Sequence, residues 1–515
     1  MGISGETLRE ALLVLQPEIY GSIADEKIEL QGLLYVIDRL PYGIEECSFI
    51  NLTSDEGYKK SHFKPIIPAK RRRNCYRIDE AQMNIEITRG RSEIYDILTH
   101  LTFLYIESHK IMKQVLVNES GELIRDWKKL EEAVLEKKEL TQKDREIALT
   151  HTANFLGRTF EEVTEAYPLF ACKEDEHRFL KIIYYLGKGA IDEVLTDKKR
   201  LITFSPVLRE RLGHHIHGER WAYRIKKELH TRGWLQRPLH IISANMHSVM
   251  NSLYAESSLT VEKKGKTTLQ LFEALSKPEN SKLRDKVTKK ALQNGMVYLA
   301  DESGTNIDVQ LFDTEKLGIP LSTEEKPVLL VMDYAFGEQA YETMDELLKP
   351  YHDNGKKEFL NVASISIMGK AGILEGGKGD IMIPSSHIFE GTADNYPFKN
   401  KLKKSHFSEN VKVYSGAMIT VLGTSLQNKD ILSFFYHSTW NVIGLEMEGA
   451  HYQKAIQSAS KIRGSISPKV EVRYAYYASD NPLETGSTLA SGGLGTTGVK
   501  PTYLITEKIL QQILK

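Results

Sequence analysis

The sequence predicts an α/β domain in the second half of the chain, preceded by a mainly helical first half. Short apolar runs at residues 239–245 and 327–333 are each followed by a helical pattern, and a third run covers residues 359–368. Short strands that alternate with helices are typical of a domain with a substantially parallel sheet. In such sheets ligands bind beyond the carboxyl ends of the strands, so functional residues are expected there.

The first half has the pattern of amphipathic helices. Apolar residues recur there mostly at three- and four-residue intervals, as in Ile94, Ile97, Leu101 and Leu104. This spacing predicts helices with one buried face. We therefore expect a mainly helical N-terminal domain of unknown role at residues 1–235 and an α/β domain at residues 236–515. The strongly charged residues 260–292 are expected to form a helical insertion that projects from the second domain.

The size and composition are typical of a globular protein with more than one domain. The chain has 515 residues, more than one ordinary core contains, of which 41% are hydrophobic and 27% are charged. Its 68 Lys and Arg residues nearly balance its 69 Asp and Glu residues. No overall charge therefore favours a nucleic acid or an anionic membrane as a partner.

The three cysteines suit a reducing compartment. Cys47, Cys75 and Cys172 lie far apart and form no CxxC pair, which argues against a disulfide framework or a structural zinc site. No apolar run approaches the ~20 residues that cross a bilayer, and the first residues lack the features of a signal peptide. We expect a cytoplasmic protein. The histidines at positions 214, 215 and 217 match no zinc-binding spacing, so no metal site is predicted.

Two acidic patches follow predicted strands near the end of the chain. Glu446 and Glu448 come after the run at residues 440–445, and Asp480 comes after the run at residues 472–478. Carboxylates at such positions are costly if they are buried and unpaired, so they are expected to face a cleft. Their pairing indicates an enzyme that handles a sugar and a base together.

Five short segments, in order, support a more specific prediction. They are residues 332–340, 368–374, 379–384, 445–450 and 478–482. Together they resemble the nucleoside phosphorylase/nucleosidase superfamily, and within it they look most like the catalytic domain of AMP nucleosidase. The resemblance implies a three-layer phosphorylase-like domain, in which helices flank a twisted mixed β-sheet. It also implies a site that needs no metal or organic cofactor.

The resemblance gives Glu448 and Met447 roles at the sugar. In the family the second Glu of Glu-Met-Glu binds the ribose hydroxyls, and that position is Glu448 here. A carboxylate at this place also favours the positive charge that develops on the ribose as the base departs. Met447 would pack against the sugar or base, and Glu446 is a further candidate contact. The alternative is that the two glutamates are an acidic pair at a helix N-terminus.

The resemblance gives Asp480 a role at the base. A purine leaves poorly as an anion, so an acid is needed to protonate or hydrogen-bond its N7 atom. In the family the Asp of Ser-Asp does this, which makes Asp480 the acid and Ser479 its neighbour in the site. A partly desolvated cleft would raise the pKa of such an Asp. The alternative is that residues 479–482 simply form a turn.

A segment of small residues, Gly369, Lys370, Ala371 and Gly372, is predicted to form a turn after a strand that ends at Met368. Such a turn exposes backbone N–H groups that can bind an anion or a sugar. In phosphorolytic members of the superfamily an Arg often precedes this segment by two residues. The residue there is the apolar Ile367, which favours hydrolysis by water over phosphorolysis.

Two further residues are weaker candidates for substrate contacts. His247 follows the first strand of the α/β half and either binds a phosphate or is an ordinary loop residue. Phe336 either stacks on a base or belongs to the core.

Three functions are consistent with these patterns. The first is hydrolysis of the N-glycosidic bond of a purine nucleoside or nucleotide. The second is phosphate-dependent cleavage by a phosphorylase, and the third is non-catalytic sensing of a nucleotide. All three imply a small-molecule partner, and the resemblance implies a homo-oligomer.

Overall fold

A computed structural model describes residues 2–15, 26–136, 140–317, 326–353, 355–392, 394–407, 411–423, 428–484 and 495–514. The chain divides into two compact units. The first comprises Met1–Thr88 and Glu93–Leu212, and the second comprises Arg89–Ser92 and Gly213–Lys515. None of the described helices is long and apolar enough to cross a membrane.

The first unit contains a five-stranded sheet, which the helical pattern of its sequence does not predict. Its strands are β1 (Gly2–Ser4), β2 (Phe49–Thr53), β3 (Cys75–Arg77), β4 (Gln82–Glu86) and β5 (Leu201–Phe204), in the spatial order β1-β5-β2-β4-β3. The sheet is mixed: β2 runs parallel to both β4 and β5, whereas β1 and β3 are antiparallel to their neighbours. A description of this region as mainly helical is therefore incomplete.

Helices supply most of the regular structure of the first unit. They are α1 (Gly5–Leu15), α2 (Leu30–Ile37), α3 (Gly90–Val115), α4 (Arg125–Glu131), α5 (Gln142–Leu156), α6 (Phe160–Ala166), α7 (Arg178–Thr196) and α8 (Pro206–Arg211). The start of α3 lies in Arg89–Ser92 and thus groups with the second unit. Thr141 is the N-cap of α5, where its hydroxyl accepts the N–H of Asp144.

The second unit alternates strands and helices, as predicted. Its strands are β6 (Leu239–Ser243), β7 (Met296–Leu299), β8 (Val309–Asp313), β9 (Val328–Met332), β10 (Tyr351–Asp353), β11 (Lys356–Glu358), β12 (Val362–Ile373), β13 (Ile381–Phe389), β14 (Asn395–Pro397), β15 (Val413–Thr420), β16 (Val442–Glu446) and β17 (Glu471–Asp480). Its helices are α9 (Ile216–Thr231), α10 (Met246–Ser258), α11 (Thr268–Ser276), α12 (Ser281–Gln293), α13 (Gln339–Leu347), α14 (Lys429–His437), α15 (Gly449–Gln457) and α16 (Val499–Leu514).

The two faces of the main sheet are covered by different helices. Along β9, Val328, Leu330 and Met332 join a core with α9, α13 and α15, while the alternate residues Leu329 and Val331 join a core with α10, α11, α12 and α16. This alternation is what a strand buried on both faces produces. The arrangement confirms the predicted mixed sheet with flanking helices.

The position of α9 explains where the units divide. The sequence pattern predicts a boundary at residue 235, whereas the units divide near residue 212. Trp221, Ile225 and Leu229 of α9 are buried in the core beside β9. The helix is therefore part of the second unit.

The charged segment at residues 260–292 is helical but does not project from the core. It contains α11 and most of α12, and Leu271, Phe272 and Val287 are fully buried. The Phe272 ring stacks on Tyr503 of α16 with 3.7 Å between centroids. The charges occupy the outer faces of these helices, and the apolar stripe packs against the domain.

Five strands of the main sheet pair in a closed ring. β12 pairs with β17, β17 with β13, β13 with β15, β15 with β16, and β16 again with β12. The strands β6, β9, β8 and β7 extend the sheet from β12. Strand β12 is thus the common member of both parts of the sheet.

Candidate active site

The ends of three strands meet at Gly372. On one side this residue pairs with Asp480, the last residue of β17, and on the other side it pairs with Leu445 of β16. A β-carbon at Gly372 would lie 3.1 Å from the Leu445 side chain, so the close approach favours glycine. Two strand spacings, roughly 10 Å, therefore separate Asp480 from the strand that leads to Glu446 and Glu448.

The prediction of a turn at residues 369–372 is wrong. These residues continue β12 as far as Ile373, and Gly369, Lys370 and Ala371 pair in register with β17. Glycine and lysine in this run have low strand propensity, but small residues are needed where β12 changes partners between β17 and β16. Backbone groups used in this pairing do not form the predicted anion cradle.

Glu446 is buried beneath the start of α15. Its carboxylate accepts hydrogen bonds from the Thr420 hydroxyl at 2.5 Å and from the backbone N–H of Glu448 at 2.5 Å, and it also accepts the N–H of Gly449. Burial, and then the nearby charge of Glu448, raise the pKa of Glu446 to about 8. The predicted role of Glu446 in contacting a ligand does not fit this arrangement, because its oxygens are already used within the protein.

Glu448, two residues after Glu446, is partly exposed. It is the residue before α15, and its Oε1 atom accepts the backbone N–H of Gly337 at 2.8 Å. Gly337 lies in the turn between β9 and α13 and has a positive φ of 56°. Two hydrogen bonds thus fix Glu448: its backbone N–H donates to Glu446, and its carboxylate accepts the N–H of Gly337.

Asp480 is buried and paired with its neighbour. The Ser479 hydroxyl donates to Asp480 Oδ1 and lies 3.1 Å from the carbonyl oxygen of Ala371. Burial raises the pKa of Asp480, although the hydrogen bond from Ser479 and the positive charges of Lys370 and Lys378 act in the opposite direction. An Asp whose pKa is raised in this way is suited to hold a proton for a leaving group.

Lys370 and His247 line the same cavity, which has a volume of about 520 Å³. Both side chains are exposed. The cavity walls also include Asn245, Tyr477 and Tyr503. A space of this size can hold a ligand of nucleoside dimensions.

Phe336 and Met447 belong to one apolar cluster. Only 9% of Phe336 and 7% of Met447 is exposed, and both pack with Leu374, Leu445 and Leu432. The structure therefore favours the core interpretation for Phe336. The Met447 side chain is buried in the same cluster, which favours a packing role for it as well.

Several residues that shape the site were not identified from the sequence. Thr420 ends β15 and links two elements, because its hydroxyl donates to Glu446 and accepts the N–H of Ala450 at 2.9 Å. Gly337 holds Glu448, and Asn481 donates to the carbonyl of Gly376 at 3.1 Å, beyond the end of β17. Thr420 had a detectable signal, since it is a polar residue at the end of an apolar strand.

His215 lies in a group with Asp345 and Glu346 whose geometry would suit a metal ion. Cations of the protein already neutralise these carboxylates: Arg463 lies 2.6 Å from Asp345, and Lys349 lies 2.5 Å from Glu346. The hydrogen bond to Glu346 raises the pKa of His215. These groups therefore form an ion-pair network around Asp345 and Glu346 of α13.

The chain belongs to a family of unknown function, DUF6909, whose model matches residues 6–264 and 267–515. A comparison with curated proteins finds no match.

Solved structures that resemble the chain include three enzymes. A 5′-methylthioadenosine/S-adenosyl homocysteine nucleosidase from Campylobacter jejuni has 11% sequence identity and a TM-score of 0.34, over 54% of this chain and 98% of that chain. Futalosine hydrolase from Helicobacter pylori has 10% identity and a TM-score of 0.29, over 54% and 98%. Uridine phosphorylase from Schistosoma mansoni has 11% identity and a TM-score of 0.33, over 54% and 89%. By their names these three are a nucleosidase, a hydrolase and a phosphorylase.

Proposed function

We propose that the second unit cleaves the N-glycosidic bond of a nucleoside or nucleotide. The observation that carries this proposal is that Gly372 pairs with Asp480 on one side and, on the other side, with Leu445, the residue before Glu446. One carboxyl group is suited to the sugar and the other to the base, and both lie at the carboxyl ends of strands. The sequence motifs and the kind of enzyme found among similar structures are consistent with this activity.

In this proposal Glu448 binds the sugar. As the bond to the base breaks, positive charge develops on the ribose ring and its hydroxyls become better donors. A carboxylate that accepts both hydroxyls stabilises this charge more in the transition state than in the ground state. Glu448 meets the requirement for a fixed orientation, because Gly337 N–H and the backbone bonds to Glu446 hold it.

In this proposal Asp480 is the acid that assists departure of the base. A purine is the favoured leaving group, because its N7 atom can accept a proton from a carboxylic acid beside it. Burial raises the pKa of Asp480, which increases the fraction that carries this proton near neutral pH. Ser479 fixes the orientation of the carboxyl group through its hydroxyl.

Hydrolysis is favoured over phosphorolysis. Ile367, at the place of the arginine expected in phosphorolytic enzymes, is only 3% exposed and packs in the apolar core. No charged group replaces it at that strand position. Lys370 and His247 line the cavity described above, and the charge of Lys370 acts on Asp480. Both residues are candidates for binding a 5′-phosphate of an AMP-like substrate.

Incubation of the purified protein with adenosine, AMP, guanosine and uridine, with and without inorganic phosphate, tests the proposal. We expect a purine substrate to release free base at the same rate in both conditions, together with ribose or ribose 5-phosphate. Release that requires phosphate and yields a sugar 1-phosphate would identify a phosphorylase. Binding without release of any base would identify a sensor and contradict the proposed reaction.

A further inference from the structure

A short segment from the first half of the chain contacts the turn that holds Glu448. Arg89–Ser92 groups with the second unit, although the residues before and after it group with the first. It packs against residues 336–338, which follow β9. This is the turn whose Gly337 N–H binds Glu448.

Each residue of the turn has a contact with the segment. The Arg89 guanidinium lies over the Phe336 ring, 5.2 Å from its centroid. The Ser92 hydroxyl accepts the backbone N–H of Glu338 at 2.9 Å. Arg91 donates to both carboxylate oxygens of Glu338, with a distance of 2.9 Å from Nε to Oε2. Paired donors of this kind fix both position and orientation.

The fit at Gly337 is particularly close. A β-carbon at this residue would lie 2.3 Å from the Ser92 hydroxyl oxygen and 3.5 Å from Met447 Cε. Ser92 therefore occupies the space that a side chain would need, and the left-handed backbone of Gly337 suits glycine. The turn is held between Ser92 on one side and Glu448 on the other.

We propose that Ser92 and Arg91 are positioning residues for Glu448, a role that rests on the proposed function. They hold the turn, the turn presents Gly337 N–H, and this N–H orients the carboxylate that receives the ribose hydroxyls. Displacements on the order of 1 Å in such a constellation reduce the rate markedly. A region expected to form a separate N-terminal domain thus contributes to recognition of the sugar.

The experiment compares Ser92→Ala and Arg91→Ala with two matched controls. Ser205→Ala removes a hydroxyl that also accepts a helix N–H, from Leu208 at 3.0 Å, in the first unit. Arg232→Ala removes an exposed pair with Glu228, 2.6 Å long. The readout is the ratio of kcat/KM for a purine ribonucleoside to that for its 2′-deoxy analogue. This ratio reports how well the ribose hydroxyls are bound and is insensitive to a general loss of folded protein.

We expect the ratio to fall at least about fivefold in Ser92→Ala and Arg91→Ala, the effect of one weakened hydrogen bond, and to stay at the wild-type value in both controls. Arg91→Lys, which keeps the charge, should recover part of the loss. An unchanged ratio in both variants would overturn the proposal.

Crystal structures of wild type and Ser92→Ala supply a readout that needs no activity. If wild type cleaves no nucleoside, the proposed function fails, and the positioning role is still decided by these structures. We expect the contact between Gly337 N and Glu448 Oε1, 2.8 Å in wild type, to be lost or lengthened in the variant. An unchanged contact would refute the positioning role by itself.

Discussion

At the scale of single residues, the environment of Asp480 predicts how activity depends on pH. The acid must carry a proton to serve the leaving group, so activity should fall as pH rises through the pKa of Asp480. The charge of Lys378 lowers this pKa, and its removal should raise it. We therefore expect Lys378→Gln to move the high-pH decline of kcat/KM to higher pH. Lys469→Gln, which removes an exposed lysine that does not act on Asp480, is the control, and a shift in the opposite direction would contradict this account.

Glu446 makes a separate prediction about stability. Its pKa is about 8 in the folded protein, above its ordinary value of 4.5. Between these two values the folded state binds a proton that the unfolded state has lost, so the free energy of unfolding decreases as pH rises across this window. Glu446→Gln removes the titrating group and should flatten that part of the profile. Urea unfolding at pH 5, 6, 7 and 8 measures the difference, and parallel profiles for the two proteins would exclude this role of Glu446.

At the scale of elements, α15 is packed against β13 with no room for an added methyl group. A β-carbon at Gly449 would lie 2.3 Å from Cδ2 of the buried His387 and 2.8 Å from Glu446 Oε1. Gly449→Ala should therefore destabilise the unit by about 1–3 kcal/mol or more. Gly391→Ala, where a β-carbon meets no atom within 4 Å, should change stability little. Thermal unfolding of both variants makes the comparison, and equal midpoints would contradict the packing described.

The elements also show what could be predicted from the sequence. The strands β6, β9 and β12 were each located from apolar runs, because burial on both faces gives a continuous signal. The end of β12 was missed, because Gly369 and Gly372 look like a turn and their pairing with β17 and β16 depends on distant segments. The sheet of the first unit was missed because three of its strands have only three or four residues. Its two five-residue strands are interrupted by polar residues, Asn51 in β2 and Asn84 in β4.

At the scale of the whole molecule, the sequence motifs identified the candidate carboxylates but not the residues that hold them in position. Glu448 and Asp480 lie at the ends of strands and could be found from the local sequence. Ser92 and Glu338 are 246 residues apart in the chain, and no local pattern connects them. The homo-oligomer implied by the family resemblance stays a prediction, which light scattering of the purified protein can check.

The central claim is that this protein breaks an N-glycosidic bond with Asp480 as the acid. The most direct measurement is release of free purine base by wild type and by Asp480→Asn, with nucleoside affinity measured in parallel by calorimetry. We expect wild type to release base and the variant to release it at least about 100-fold more slowly, the usual effect of losing a general acid, with affinity largely retained. Equal rates of base release by the two proteins would contradict the account.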